Sequence, residues 1–135
     1  MYASILIPII FDDEHDSAAS FRAAKALADE GATFTVLHVM ESIPTYVAND
    51  ISSEILAKSR QEVKTALAKA AEALPNAKTE LASGHAGRAI LDYAESHGID
   101  CIIIASHLPG FANLLLGSTA DRVVRHAKCS VHVIR

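Results

Sequence analysis

The sequence is poor in aromatic residues. It contains no tryptophan, and only 5 % of its 135 residues are aromatic, although 50 % are hydrophobic. Its apolar content is therefore mostly alanine, valine, isoleucine and leucine. A core of these residues suits helices packed on a buried sheet better than an aromatic-rich β-sandwich. The hydrophobic content, with 21 % charged residues, also argues against a disordered chain.

Basic residues are scarce as well. The chain has 12 Lys and Arg against 16 Asp and Glu, a net charge of −4, which argues against nucleic-acid binding through a basic face. No apolar run approaches the roughly 20 residues that a membrane span needs. The apolar first ten residues lack the basic leader and cleavage site of a signal peptide. We therefore expect a cytoplasmic protein with neither nucleic acid nor membrane as a partner.

Cysteines and metal-ligand patterns are also few. Cys101 and Cys129 are the two cysteines, and both lie in apolar stretches without metal-ligand spacing. We interpret them as reduced core thiols. The seven histidines show no helical pairing with one another or with a cysteine, so the sequence predicts no zinc site.

Strand-like and helix-like segments alternate along residues 1–135, which predicts one α/β domain. The strand-like runs are 4–9, 33–39, 78–82, 101–105 and 130–134; the helical patterns are 17–30, 51–74, 87–97 and 119–127. The first and fourth runs are continuously apolar, as in strands covered on both faces. Gly31 is the expected C-terminal cap of the first helix. The alternation predicts a doubly wound parallel sheet with right-handed crossovers and helices on both faces.

In such open sheets, ligands bind beyond the carboxyl ends of the strands. The loop 106–118 follows a buried strand and ends in Gly117-Ser118-Thr119, which opens a helix. The first amides of a helix lack internal partners and lie at its positive dipole end, so this segment is a candidate phosphate site. The alternative is that Ser118 merely caps the helix and Gly117 makes the turn.

Signals for catalysis are weak. The loop 106–118 contains no Lys or Arg, and the chain has neither a Walker-type motif nor a nucleophile elbow, which favours holding a nucleotide over turning it over. The acidic run 12–16 either binds Mg²⁺ beside phosphates or is a solvated loop in which Asp16 or Ser17 caps the next helix. Asp121 and Arg125, four residues apart, are expected to form a surface ion pair.

Several segments resemble the universal stress protein family. The C-terminal third carries the most specific match: 103–107, then Leu115-Leu116-Gly117-Ser118-Thr119-Ala120, then 124–135. Ile5-Leu6-Ile7-Pro8 and Leu37-His38-Val39 match nearer the N-terminus. The resemblance implies an α/β fold of five parallel strands in the order 3-2-1-4-5, usually a homodimer. It also implies ATP binding, with the phosphates on the glycine-rich loop and possible help from Mg²⁺.

The resemblance also implies roles for individual residues. Pro8 and Ile9 would shape the adenine and ribose pocket, and Val39 would offer backbone groups to the adenine edge. Gly84 would border the ribose. The phosphates would be held by residues of the glycine-rich loop, namely Ser106, His107, Gly117, Ser118 and Thr119. For His107 the alternative is a loop histidine bonded to a neighbouring carbonyl.

The chain departs from the ATP-binding pattern of the family at several positions. Ala105 and Leu108 stand where glycines are typical, and the spacing to Gly117 is one residue short. A bacterial subgroup shares this Ser-His-x-Pro variant with an intact Leu-Leu-Gly-Ser. Ile10 replaces the aspartate that commonly holds the adenosine, a role open to Asp12 or Asp13.

The terminal strand predicts a partner. If it lies at a sheet edge, its outward amides need protection. Pairing of the strand from Val131 to Ile134 with its copy in a second subunit would give a two-fold homodimer; the alternative is that loops or Arg135 protect it. Three hypotheses follow: an ATP-binding dimer in the stress response, a slow ATPase or self-phosphorylating enzyme with Ser118 or Thr119 as acceptor, and an interaction protein without nucleotide.

Overall fold

A five-stranded parallel sheet organises the chain. The structure is a computed structural model and describes residues 1–10, 17–41, 44–106 and 116–135. The elements are β1 Tyr2–Pro8, α1 Ser17–Leu27, β2 Ala28–Met40, α2 Thr45–Ala48, α3 Ser53–Ala71, β3 Lys78–Ser83, α4 Ala86–Ser96, β4 Cys101–Ala105, α5 Ser118–His126 and β5 Ser130–Ile134. Within these ranges, no helix has the length and hydropathy needed to traverse a bilayer.

The strand order is β3-β2-β1-β4-β5, with every neighbouring pair parallel. This confirms the predicted fold class and the order 3-2-1-4-5. The two continuously apolar runs form β1 and β4, at and beside the centre of the sheet. The chain winds from β1 through β2 to β3 on one side, and β4 and β5 lie on the other. The order therefore reverses between β1 and β4, which is where an open sheet offers a ligand crevice.

Helices cover both faces of the sheet and create two cores. Alternate side chains of a strand point to opposite faces, so Ile5 and Ile7 pack with Phe21 and Leu67 under α1 and α3. Leu6, between them in sequence, packs on the other face under α4 and α5. This two-sided burial explains why β1 is apolar throughout rather than alternating.

The end of α1 corrects one prediction. The helix stops at Leu27, not at Glu30, because Ala28 already pairs with Tyr2 of β1. The register then shifts before Ser4 pairs with Thr33. Gly31, with φ +79°, therefore lies in an irregular stretch of β2 and does not cap the helix. Pairing with the start of β1 replaces the last helical turn.

Other boundaries fall close to the predicted ones. Helix α3 begins after Ser52, whose Oγ accepts a hydrogen bond from Ile55 N at 3.2 Å. It ends three residues before Leu74, and Asn76 then takes a left-handed conformation with φ +58°. The short helix α2 after Pro44 was not predicted.

Candidate functional site: a cleft at the carboxyl ends of β1, β2 and β4

A cleft opens where the strand order reverses. Including the part open to solvent, the space between its walls is about 650 Å³. Three strand ends, the loop after β1 and three helices supply its walls. Its described lining residues are Pro8, Ile9, Ile10, Ser17, Ser20, Leu37, His38, Val39, Ala86, Ile90, Ile104, Ala105 and Thr119.

The floor of the cleft is apolar. Ile9, Leu37 and Ile90 are buried there, whereas Ile10 at the mouth is 53 % exposed. Ala105, which replaces a glycine of the family pattern, lies at the end of β4 and also lines the cleft. Of the three substitutions noted from the sequence, Ala105 and Ile10 line the cleft, and Leu108 lies outside the described residues.

Val39 presents backbone groups to this space. Leu37 O accepts a hydrogen bond from Ile9 N at 2.8 Å, and Met40 O accepts one from Gly84 N at 2.9 Å. Alternate residues of a strand direct their backbone groups to opposite neighbours. Val39 therefore directs its N–H and C=O towards the β1 side. The β1–β2 register ends at Pro8 and Leu37, so these groups lie beyond the last strand pair.

His38 helps to define that strand end. Its Nδ1 lies 2.9 Å from Ile9 O, and because a carbonyl only accepts, Nδ1 donates and carries a proton. This bond occupies the carbonyl that a longer β1 would offer to Val39. The sequence pattern contains His38 within the Leu-His-Val match, but this contact between two strand ends was not predicted.

The N-terminus of α5 forms the other end of the cleft. Gly117 is its cap residue, with φ −62° and ψ 155°, and Asp121 N donates to Gly117 O at 2.9 Å. The amides of Ser118, Thr119 and Ala120 therefore have no partner within the helix. Among the described residues, no side chain caps these three amides. The interpretation of Ser118 as the cap was wrong, because Ser118 is already the first helical residue.

Ser106 connects β4 to this helix. Its side chain is buried, and its Oγ accepts a hydrogen bond from Gly117 N at 2.9 Å. Its own amide donates to Ile134 O at 2.8 Å. Ser106 thus satisfies the amide of Gly117 and ties the start of α5 to the end of β4. This contact positions the candidate phosphate site.

The structure brings only some of the predicted site residues together. Pro8, Ile9, Val39 and Thr119 line the cleft, and Ser106 and Gly117 support its α5 end. Gly84 is not among the described lining residues; its φ of +119° makes the turn from β3 to α4. His107 and the acidic run 12–16, with its Mg²⁺ hypothesis, lie outside the described residues.

Ser20 is a lining residue that sequence reasoning missed. It is only 2 % exposed and faces the cleft from α1. The available signal was its position one helical turn before the buried Ala24, on an otherwise apolar stripe. A hydroxyl on the core-facing side of an alanine-rich helix is a polar group that needs a reason to be buried.

A second depression, the α4–α5 groove, adjoins the cleft. Its described lining residues are Glu41, His85, Ala86, Ser118, Thr119, Asp121, Arg122, Arg125 and His126. Ala86 and Thr119 belong to both the cleft and the groove. The predicted ion pair is confirmed on its wall, with Arg125 Nε 2.9 and 3.0 Å from the two carboxylate oxygens of Asp121.

The cysteines lie away from the cleft. Both are free thiols, and Cys101 is fully buried in β4. Burial raises the pKa of the Cys101 thiol to about 11 and also raises the pKa of Cys129. Both thiols are therefore protonated near neutral pH, which makes them poor nucleophiles and poor metal ligands.

Together these features define a doubly wound α/β protein with a cleft at its topological switch point. A family model described as the universal stress protein family matches residues 1–135. The chain belongs to the universal stress protein family. It is 31 % identical over 138 residues to a universal stress protein of Thermus aquaticus, with 100 % of each chain covered.

Solved structures share the fold. The universal stress protein UspA from Lactobacillus plantarum superposes with a TM-score of 0.78 at 31 % identity, over 99 % of this chain and 98 % of that one. The universal stress protein from Archaeoglobus fulgidus in complex with dAMP gives 0.67 at 17 % identity, over 99 % and 98 %. A universal stress protein family protein from Arabidopsis thaliana with AMP bound gives 0.62 at 16 % identity, over 98 % and 90 %.

Proposed function

We propose that this chain is a single universal stress protein domain over residues 1–135 that binds an adenine nucleotide, specifically ATP, in the cleft. In this proposal it works in the cytoplasmic stress response as a homodimer and holds the nucleotide without turning it over. One observation carries the nucleotide assignment. The cleft joins an apolar pocket with strand backbone groups at one end to the unpaired amides of α5 at the other, and Thr119 lies where the two meet.

The apolar end suits a purine base. Ile9, Leu37 and Ile90 offer flat contact area, and Val39 directs one donor and one acceptor past the end of β1. Adenine presents neighbouring donor and acceptor groups on its edges, so its amino group and a ring nitrogen complement the C=O and N–H of Val39. Pro8 closes this side of the pocket.

The α5 end suits phosphate. The amides of Ser118, Thr119 and Ala120 converge at the positive end of the helix dipole, and two of these residues add hydroxyl groups. A Cβ at Gly117 would meet no described atom within 4 Å, so a phosphate can approach its backbone. Relatives of the same fold have been solved with AMP and dAMP bound, which supports an adenylate in this cleft.

Calorimetry on nucleotide-free protein tests the assignment. We expect saturable binding of ATP, one per chain, with and without MgCl₂. Replacing Ser20 by leucine would fill the cleft from α1 and should abolish binding, whereas Ser20→Ala keeps the cleft open and should bind like the wild type. Absence of heat at millimolar ATP in the wild type would refute the proposal, and so would full binding to a folded Ser20→Leu variant.

The outer edge of β5, the last strand of the sheet, supports the homodimer. Ser106 N donates to Ile134 O, so Ile134 directs its backbone groups to β4 and Val133 directs its own outwards. Strand β5 ends the sheet on this side. Two copies of this edge can pair around a two-fold axis, which removes the exposed edge of both.

Light scattering on variants of Val133 tests this interface. Val133→Pro removes an N–H that points away from the sheet and leaves the hydrogen bonds between β5 and β4 intact. The fold should therefore persist while the dimer dissociates. Val133→Thr keeps both the N–H and the branched shape and should stay dimeric. A monomeric wild type at high micromolar concentration, or a dimeric Val133→Pro variant, would contradict the proposal.

A further inference from the structure

Arg122, on the second turn of α5, carries a buried polar atom that no described residue satisfies. Its Nε is inaccessible to solvent and makes no hydrogen bond, and its guanidinium forms no ion pair with the residues that the structure describes. The neighbouring cations differ: Arg125 is bound to Asp121, and Lys128 Nζ lies 2.8 Å from Glu95. A buried donor without a partner is costly and calls for a physical explanation.

The position of Arg122 is set by a glycine on the neighbouring helix. A Cβ at Gly87 of α4 would lie 2.7 Å from Arg122 Cδ and 3.3 Å from its Cγ. The aliphatic stem of Arg122 therefore lies directly against the backbone of α4, in space that only glycine leaves open. Packing of the stem orders the side chain in advance, which lowers the entropic cost of a later contact with a ligand.

The surroundings of Arg122 favour an anion. The side chain lines the α4–α5 groove, which continues from the cleft past Thr119. His85 accepts a hydrogen bond from Arg88 N through its Nδ1 at 3.4 Å, so in the neutral ring the proton is on Nε2, which is a donor. Of the two carboxylates in the groove, Asp121 is neutralised by Arg125, and Glu41 is exposed on another wall.

The α4–α5 groove lies next to the candidate phosphate site at the start of α5. Ser118 and Arg122 are four residues apart on α5, so their side chains share one face of the helix, with Cβ atoms about 5–6 Å apart. A phosphate on the first amides of α5 thus has the guanidinium one helical turn away, in the direction of the groove. Arginine forms paired hydrogen bonds with phosphate oxygens.

We propose that Arg122 binds the phosphate groups beyond the first, so that the site prefers nucleoside di- and triphosphates over the monophosphate. This proposal rests on the proposed nucleotide function and assigns a specificity residue to it. The buried Nε, which no described residue satisfies, gains a partner when a phosphate chain enters the groove.

Affinities for AMP, ADP and ATP in three proteins test the proposal. Arg122→Met keeps an unbranched stem over Gly87 and removes the guanidinium; Arg88→Met removes a cation of α4 that does not line the groove. Loss of a charged hydrogen-bonding group should weaken ATP binding by about tenfold to a hundredfold in Arg122→Met. AMP binding should change less than about twofold, and Arg88→Met should match the wild type for all three nucleotides. Equal losses for AMP and ATP, or no loss in Arg122→Met, would overturn the proposal.

Two further measurements separate this proposal from the nucleotide function. Inorganic tripolyphosphate is the first probe: binding by the wild type and loss in Arg122→Met support the anion subsite even if no nucleotide binds. A wild type that binds neither tripolyphosphate nor nucleotide overturns both proposals, and one that binds AMP and ATP equally overturns only this one. Thermal melting without ligand is the second: Arg122→Met should melt at or above the wild type, and a clearly lower Tm would show that Arg122 has a structural partner.

Discussion

Replacing Ser106 by alanine should destabilise the protein, whereas replacing Ser118 by alanine should not. Ser106 Oγ accepts a hydrogen bond from the amide of Gly117 at 2.9 Å, and Ser106 is only 6 % exposed. The alanine variant leaves that amide without a partner at a part-buried position, which costs about 1–2 kcal/mol. Ser118 is exposed and caps nothing in the described structure, so Ser118→Ala should stay within about 0.5 kcal/mol of the wild type.

Urea unfolding of the ligand-free protein measures both values, with circular dichroism as the signal. For a domain of this size, the Ser106→Ala loss corresponds to a Tm lower by roughly 3–8 °C. Ser106→Thr is the matched control, because it keeps the hydroxyl and should recover part of the loss. Both serines lie at the start of α5, so the difference between the two variants shows which side chain stabilises this helix start.

The reverse result would refute this account of the helix start. A loss above about 1 kcal/mol for Ser118→Ala, with little change for Ser106→Ala, would mean that Ser118 caps α5. The first amides of the helix would then already be occupied, and the candidate phosphate site would lose its physical basis. The experiment therefore tests in solution that Ser106, and not Ser118, supports the start of α5.

Three other outcomes are expected. Gly84→Ala should destabilise the protein by about 1–3 kcal/mol because φ is +119° at this position. Gly117→Ala should change stability by less than about 1 kcal/mol, because φ is −62° and no described atom lies within 4 Å of the added Cβ. Equal effects of the two variants in urea unfolding would contradict the turn geometry at Gly84. Burial raises the pKa of Cys101 from about 9 to about 11, so the thiolate forms first in the unfolded chain. The contribution of Cys101 to the free energy of unfolding should therefore be full below pH 9 and fall as the pH rises towards 11. In Cys101→Ala the free energy of unfolding should fall less steeply with pH, and an unchanged slope would argue against a buried thiol. Asp121→Asn should alter the free energy of unfolding by less than about 0.5 kcal/mol at 0.15 M salt, because the ion pair with Arg125 is exposed. A larger loss in urea unfolding would mean that this ion pair stabilises the fold.

Local pattern was sufficient for most of the architecture. Continuous apolar runs marked β1 and β4 as buried, and their alternation with helical stripes predicted a parallel sheet with its ligand crevice at the carboxyl ends of the strands. The resemblance then supplied the strand order, and the structure confirmed it. The exposed pair Asp121 and Arg125 was predicted because its four-residue spacing is itself a local property of a helix.

Contacts between distant residues set the limit of the sequence prediction. The end of α1 depends on pairing between Tyr2 and Ala28, which local helix propensity does not contain. The buried position of Ser20 depends on where α1 lies across the sheet. Among the resemblance-derived residues, Gly84 proved to make a turn beside the site, because positive φ at a strand end and proximity to a ligand both select glycine.

By itself, the sequence determined the class of the fold, the buried strands and the end of the sheet at which a ligand would bind, because these follow from the period and composition of short segments. Only the tertiary structure decided which polar groups meet there. Ser106 reaches Gly117 eleven residues later, and Arg122 lies over Gly87 of another helix. These contacts depend on how the helices and strands pack against one another, so they cannot be predicted from any single segment of the chain.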